Sequence, residues 1–195
     1  MRPTRILNII HLILLAFICS AGFAQNEKGV LNIRNYTPRE YGAHAQNLCI
    51  TQDKRGVLYF GNNRGVLEYD GTYWRIIRVA NETSVSAIEV DDNGVVYAGA
   101  DNEIGFLAPD KNGKLEYISL TNKVPKEAKD FGRIVKICNT KEGIFFQSSK
   151  ILMKYDGKKI TNYPSDKSFH NIFYTNGTLF IKQKSLAGVA SKAQI

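Results

Sequence analysis

The sequence predicts an all-β chain, a partial β-propeller of about three and a half four-stranded antiparallel blades behind a secretory leader. Three observations predict it. A unit of four short strands recurs with a period of about forty residues, the size of one blade. The first turn of each unit ends in a glycine, at Gly56, Gly94, Gly143 and Gly177, at intervals of 38, 49 and 34 residues. Apolar or aromatic residues follow each of those glycines: Val57-Leu58-Tyr59-Phe60, Val95-Val96-Tyr97, Ile144-Phe145-Phe146 and Leu179-Phe180-Ile181.

Residues 1–24 read as a signal peptide. Arg2 and Arg5 open it, Ile6 to Ile18 is mostly apolar, and Gly22 and Ala24 stand at −3 and −1 of a cleavage site before Gln25. The apolar run is short for a membrane span. Phe17 and Ile18 are too bulky before Cys19 for a lipoprotein site. A periplasmic or secreted location follows, with cleavage near Ala24-Gln25.

Residues 25–45 are a lead-in. Val30–Tyr36 alternates apolar and polar residues and is expected as one strand, with Thr37-Pro38-Arg39-Glu40 as a turn. The propeller itself is assigned to 46–195. Blade one, about 46–80, has strands at Leu48–Gln52, Val57–Gly61, Gly65–Tyr69 and Tyr73–Val79. Asp70-Gly71 joins the last two and tolerates the positive φ of a tight hairpin. Blade two, 84–120, has strands at Val85–Val90, Val95–Ala100, Ile104–Ala108 and Lys114–Leu120. Thr121–Gly132 is a polar inter-blade insertion with Pro125, expected on a binding face with one helical turn. Blade three, 133–163, has strands at Ile134–Asn139, Ile144–Ser148, Ile151–Tyr155 and Lys159–Tyr163, and repeats Tyr-Asp-Gly at Tyr155-Asp156-Gly157. An incomplete blade four, 169–195, opens with a turn at Thr175-Asn176-Gly177. Three and a half blades do not close a ring. The expectation is therefore the front part of a longer product, or a truncated one.

Composition narrows the partners. The formal charge is +8, or +6 without Arg2 and Arg5. That admits acidic or sulfated glycans as well as a merely solvated basic surface. No dense basic run with interleaved aromatics is present, so no nucleic acid is expected. Cys49 and Cys138, both in first strands, are expected as buried small hydrophobes rather than a disulfide.

Residues with potential chemistry are few. Asp91-Asp92-Asn93-Gly94 has the look of a calcium loop but lacks the further acids and closing glutamate, so a β-turn is preferred. His44 and His170 have no companion motif, and Ser/His/Asp combinations are scattered. Asn35, Asn81 and Asn176 each open an Asn-x-Thr triplet. Tyr73 and Trp74 could stack on a sugar, though packing is the simpler role. No catalytic, cofactor or metal residue is assigned, no cofactor is expected, and the ligand-binding residues are unknown.

Ile33–Asn47 (IRNYTPREYGAHAQN) running into Ile50–Arg75 (ITQDKRGVLYFGNNRGVLEYDGTYWR), with Val90–Gly113 (VDDNGVVYAGADNEIGFLAPDKNG), resembles the two-component regulator propeller proteins. The resemblance covers Val30 to about Gln183. It implies the exported sensor region of a transmembrane regulator, with further blades, an immunoglobulin-like domain, a membrane helix and a histidine kinase or helix-turn-helix output. It also implies a small extracellular ligand such as a glycan fragment. The expectation is a ligand-sensing propeller region without catalysis of its own. Its further partner is the missing remainder of the propeller or another copy of the chain. The alternatives are a secreted propeller enzyme acting on polysaccharide, and a non-signalling interaction protein or gene remnant.

Overall fold

The computed structural model describes residues 33–183. The chain divides into two compact units, Met1–Asn35 and Tyr36–Ile195, and every described strand belongs to the second. The expected leader and the stretch after Gln183 lie outside the described residues.

The predicted blades are present. Blade one comprises β1 (Asn47–Gln52), β2 (Leu58–Asn62), β3 (Gly65–Tyr69) and β4 (Trp74–Ile77), paired antiparallel in that order. Blade two comprises β5 (Ala87–Val90), β6 (Val96–Ala100), β7 (Glu103–Pro109) and β8 (Leu115–Ser119). Blade three comprises β9 (Ile134–Thr140), β10 (Gly143–Ser148), β11 (Ile151–Tyr155) and β12 (Ile160–Pro164). A hairpin of β13 (Phe169–Thr175) and β14 (Thr178–Gln183) follows. The turn glycines carry the left-handed backbone that their stations require, as at Gly56 (φ +88°) and Gly94 (φ +84°).

The Tyr-Asp-Gly loops are four residues long rather than tight two-residue turns. Asp70 Oδ1 accepts from the Thr72 and Tyr73 amides, and Tyr69 OH donates to Gly71 O at 2.8 Å. Blade three repeats this, with Asp156 Oδ1 accepting from Lys158 and Lys159 and Tyr155 OH donating to Gly157 O.

The lead-in corrects the expectation. Ile33–Tyr36, the described part of the expected strand, forms no strand, and the expected turn is a short helix, α1 (Pro38–Tyr41). The reason is local. Thr37 caps the helix, Pro38 pre-sets its first turn, and Glu40 returns the cap by accepting from Thr37 N at 2.7 Å. The helix lays Tyr41 against the face of blade one that carries Leu67, Phe60, Trp74 and Ile76.

Strand alternation gives each blade two apolar faces. On β3, Leu67 meets the lead-in, and Val66 belongs to the core between blades one and two with Tyr59, Ile77, Val85, Val96 and Leu107. Tyr97, Ile104, Ile134, Phe146 and Met153 pack between blades two and three. Phe145, Leu152, Ile172, Leu179 and Ile181 pack blade three on the hairpin. Two glycines allow close approach. A Cβ on Gly61 would meet Val85 O at 2.6 Å, and one on Gly99 would meet Ile134 Cγ2 at 2.5 Å.

The insertion after blade two holds two 3₁₀ turns, Thr121–Lys123 and Lys126–Ala128. It is not a free loop: Val124, Ala128 and Phe131 are buried with Leu120 in the core between blades two and three. Its polar sequence hid three well-spaced apolar anchors.

Candidate functional site

A cleft of about 620 Å³ opens between blades one and two. An antiparallel meander puts its first and third turns on the same edge, so each blade presents one inner and one outer turn there. Blade one contributes the turn Asp53-Lys54-Arg55, the loop residue Asp70, and Glu68 and Arg75 from β3 and β4. Blade two contributes Asp92-Asn93-Gly94 and the Pro109–Gly113 end of its outer hairpin. Val57, Val95, Leu107 and Leu115 supply the apolar lining.

The charged groups are fixed before any ligand arrives. Asp53 Oδ1 accepts from the amides of Arg55 (2.9 Å) and Val57 (3.1 Å). Its Oδ2 accepts from Arg55 Nε at 3.0 Å and Nη2 at 2.7 Å. Tyr59 OH also donates to Asp53 Oδ2, at 3.4 Å, and accepts from Arg55 Nη2. Burial pushes the Asp53 carboxyl up, but Arg55 and the two amides outweigh it and hold the group below its ordinary value. Burial first, then Glu68 and Asp53, pushes Tyr59 up to about 12. The second pair joins partners across the β3–β4 ladder: Arg75 donates Nε–H to Glu68 Oε2 at 2.6 Å. Lys54 Nζ donates to Asp92 O at 2.6 Å and so ties the first turns of the two blades together.

Asp53 is held ionised at neutral pH, the wrong state for a proton donor. The arginine side chains keep exposure after pairing, Arg55 at 69 % and Arg75 at 30 %. Each can donate further hydrogen bonds to hydroxyl or carboxyl oxygens.

The residues singled out from sequence are dispersed. Asp91 Oδ1 accepts from the Asn93 and Val95 amides, so this is the expected turn. His44 Nδ1 accepts from Gln46 N, and His170 lies exposed on β13. Asn81 Nδ2 donates to Asp101 O. Trp74 is packing: it stacks on Tyr69 at 4.2 Å and meets Tyr36 edge-on at 5.1 Å. Tyr73 is exposed. Cys49 and Cys138 carry free thiols in separate cores, and burial pushes Cys138 up to about 11. The described residues hold no cluster of His, Cys, Asp or Glu suited to a metal. Sequence reading missed both ion pairs. Asp53-x-Arg55 is a local signal. Glu68 and Arg75 lie two residues outside Asp70 and Tyr73, the ends of one loop, and that placement was readable once the loop was known.

No protein-family model matches the sequence, and no curated protein matches it. Solved structures do. The extracellular domain of BT4673, a proposed hybrid two component system of B. thetaiotaomicron, is 20% identical over 70% of this chain and 19% of that one, with a TM-score of 0.52. Virginiamycin B lyase from Staphylococcus aureus is 15% identical over 83% of this chain and 58% of its own, with a TM-score of 0.58. YCF48 from Cyanidioschyzon merolae is 14% identical over 71% and 48%, with a TM-score of 0.53. The chain thus spans about a fifth of the BT4673 domain and under three fifths of the lyase. At these identities the likeness establishes the fold. Its range, from an extracellular domain of a signalling system to a lyase, agrees with the rule that one fold can host unrelated functions.

Proposed function

We propose that the chain is the exported, ligand-sensing propeller portion of a signalling regulator, and that it binds a small extracellular ligand such as a glycan fragment in the cleft between blades one and two. The cleft carries this reading: about 620 Å³ lined by apolar side chains and two pre-formed ion pairs that hydroxyl groups can join. The likeness to an extracellular domain of a proposed two component system supports both the sensor role and an exported location. Among the described residues no helix is long and apolar enough to cross a membrane. Binding would act by favouring one packing of blade one on blade two, since the Lys54–Asp92 tie crosses that gap.

The test is a thermal-shift and calorimetric screen of neutral and acidic oligosaccharides against the wild type and Arg55→Met. A saturable ligand lost in the variant supports the cleft, and a ligand unaffected by the variant places recognition elsewhere. The rival is a secreted propeller enzyme, favoured by the likeness to the lyase. Turnover of a polysaccharide in the same screen would support that reading instead.

A further inference from the structure

The basic excess of the chain is concentrated in one half of the fold. Residues 46–120, which hold blades one and two, carry seven Lys or Arg against eleven Asp or Glu; residues 121–183 carry twelve against five. The difference is built into the turns. Blades one and two cap the first turn with a carboxylate, Asp53 or Asp91. Blade three puts Thr140 at that station, and its Oγ1 accepts from Glu142 N at 3.2 Å. The turn keeps its cap and sheds the negative charge.

The same edge of blade three gathers five lysines. Lys141 stands in the first turn, Lys154 near the end of β11, and Lys158 and Lys159 in the outer loop. Lys123 reaches in from the insertion and donates Nζ–H to Lys158 O at 3.0 Å. Two acids stand among them. Glu142 pairs with Lys154 at 3.4 Å, and Asp156 Oδ1 is taken by the Lys158 and Lys159 amides. Two of the ammonium groups are pinned over rings, Lys123 over Tyr155 at 5.4 Å and Lys154 over Phe145 at 5.9 Å. Side chains already held lose less freedom when they bind.

We propose that this edge of blade three is a docking surface for a linear acidic polysaccharide, carboxylated or sulfated. The large hydrophobics exposed among the described residues are Ile33, Ile50, Tyr73, Ile118, Val135 and Phe173, and none of them belongs to this edge. It therefore offers no apolar wedge for a bilayer interface and no exposed ring on which nucleobases would stack. A polymer of fixed negative charges needs neither. The surface is separate from the cleft, so the two readings stand or fall independently.

The test titrates the exported protein with polygalacturonate and heparin, with neutral dextran, phosphatidylglycerol vesicles and single-stranded DNA as controls. The expected result is binding to an acidic polysaccharide that weakens roughly tenfold between about 50 and about 200 mM salt. Lys141→Glu, Lys158→Glu and Lys159→Glu combined should weaken it a further tenfold or so. Lys111→Glu with Lys114→Glu, on the same edge of blade two, should change it less than about twofold. All five positions are exposed, and matched circular dichroism and melting curves check the fold. Equal losses from the two variant sets, or no binding at low salt, would overturn the proposal. So would binding to vesicles or DNA as tight as to polysaccharide.

Discussion

The gap between blades one and two and the gap between blades two and three are bounded by the same four-stranded sheets, yet they are finished differently. The second gap is plugged: the insertion drives Val124, Ala128 and Phe131 into it beside Leu120, and Phe131 is 1 % exposed. The first has no such insertion. Residues 78–86 link β4 to β5 and bury only Val79 and Val85 there, and the outer part of the gap remains a cleft walled by ion pairs. Apolar volume closes the second gap, whereas the charged groups that wall the first meet each other's desolvation costs in pairs.

The largest expected effect lies at the plug. Phe131→Ala should destabilise the protein by about 3–5 kcal/mol in urea unfolding; a loss under about 1 kcal/mol would mean that the insertion is a loose cover. At the cleft, Arg75→Met leaves the Glu68 side chain, 13 % exposed, without its cation, and should cost about 1–3 kcal/mol. If it cost more than Phe131→Ala, the cleft rather than the plug would be the stability-determining gap.

Acid sharpens the same contrast. The folded Asp53 carboxyl lies below its ordinary value, so its stabilisation is complete above the unfolded value. It is lost as pH falls through the lower, folded one. The melting advantage of the wild type over Asp53→Asn should therefore hold at neutral pH and shrink from about pH 4 downward. An advantage that persisted at about pH 2 would show that the ion pair contributes nothing to it. The smallest effect belongs to the rim. Tyr73, 74 % exposed, should change stability by under about 0.5 kcal/mol on replacement by serine, so any larger change in ligand affinity would mark it as a contact.

Much of the fold was legible because each blade signs itself locally. The turn glycines are needed for positive φ, and the apolar runs after them become the second strands. The lead-in helix was also written there: Thr37-Pro38-x-Glu40 is a capping box with proline in the first turn. Four residues of helix leave no periodicity to read, so only the cap marks it. The insertion misled because Lys126, Glu127 and Lys129 dominate its composition, whereas its fold is set by Val124, Ala128 and Phe131. The cleft was not legible at all. It is a property of the space between two sheets, and Glu68 and Arg75 become a feature of it only when blade two stands opposite.

Gly99 bears on more than its own contact. Blade three rests against the bare backbone of β6 there, with Ile134 seated where a side chain would otherwise stand. Sheets laid successively on one another behave like parts in a stacked assembly, in which an error at one joint is inherited by every part placed after it. One added carbon at this joint would displace blade three and, with it, the hairpin that rests on blade three. The glycine thus works as a machining tolerance, small in itself and multiplied by everything downstream.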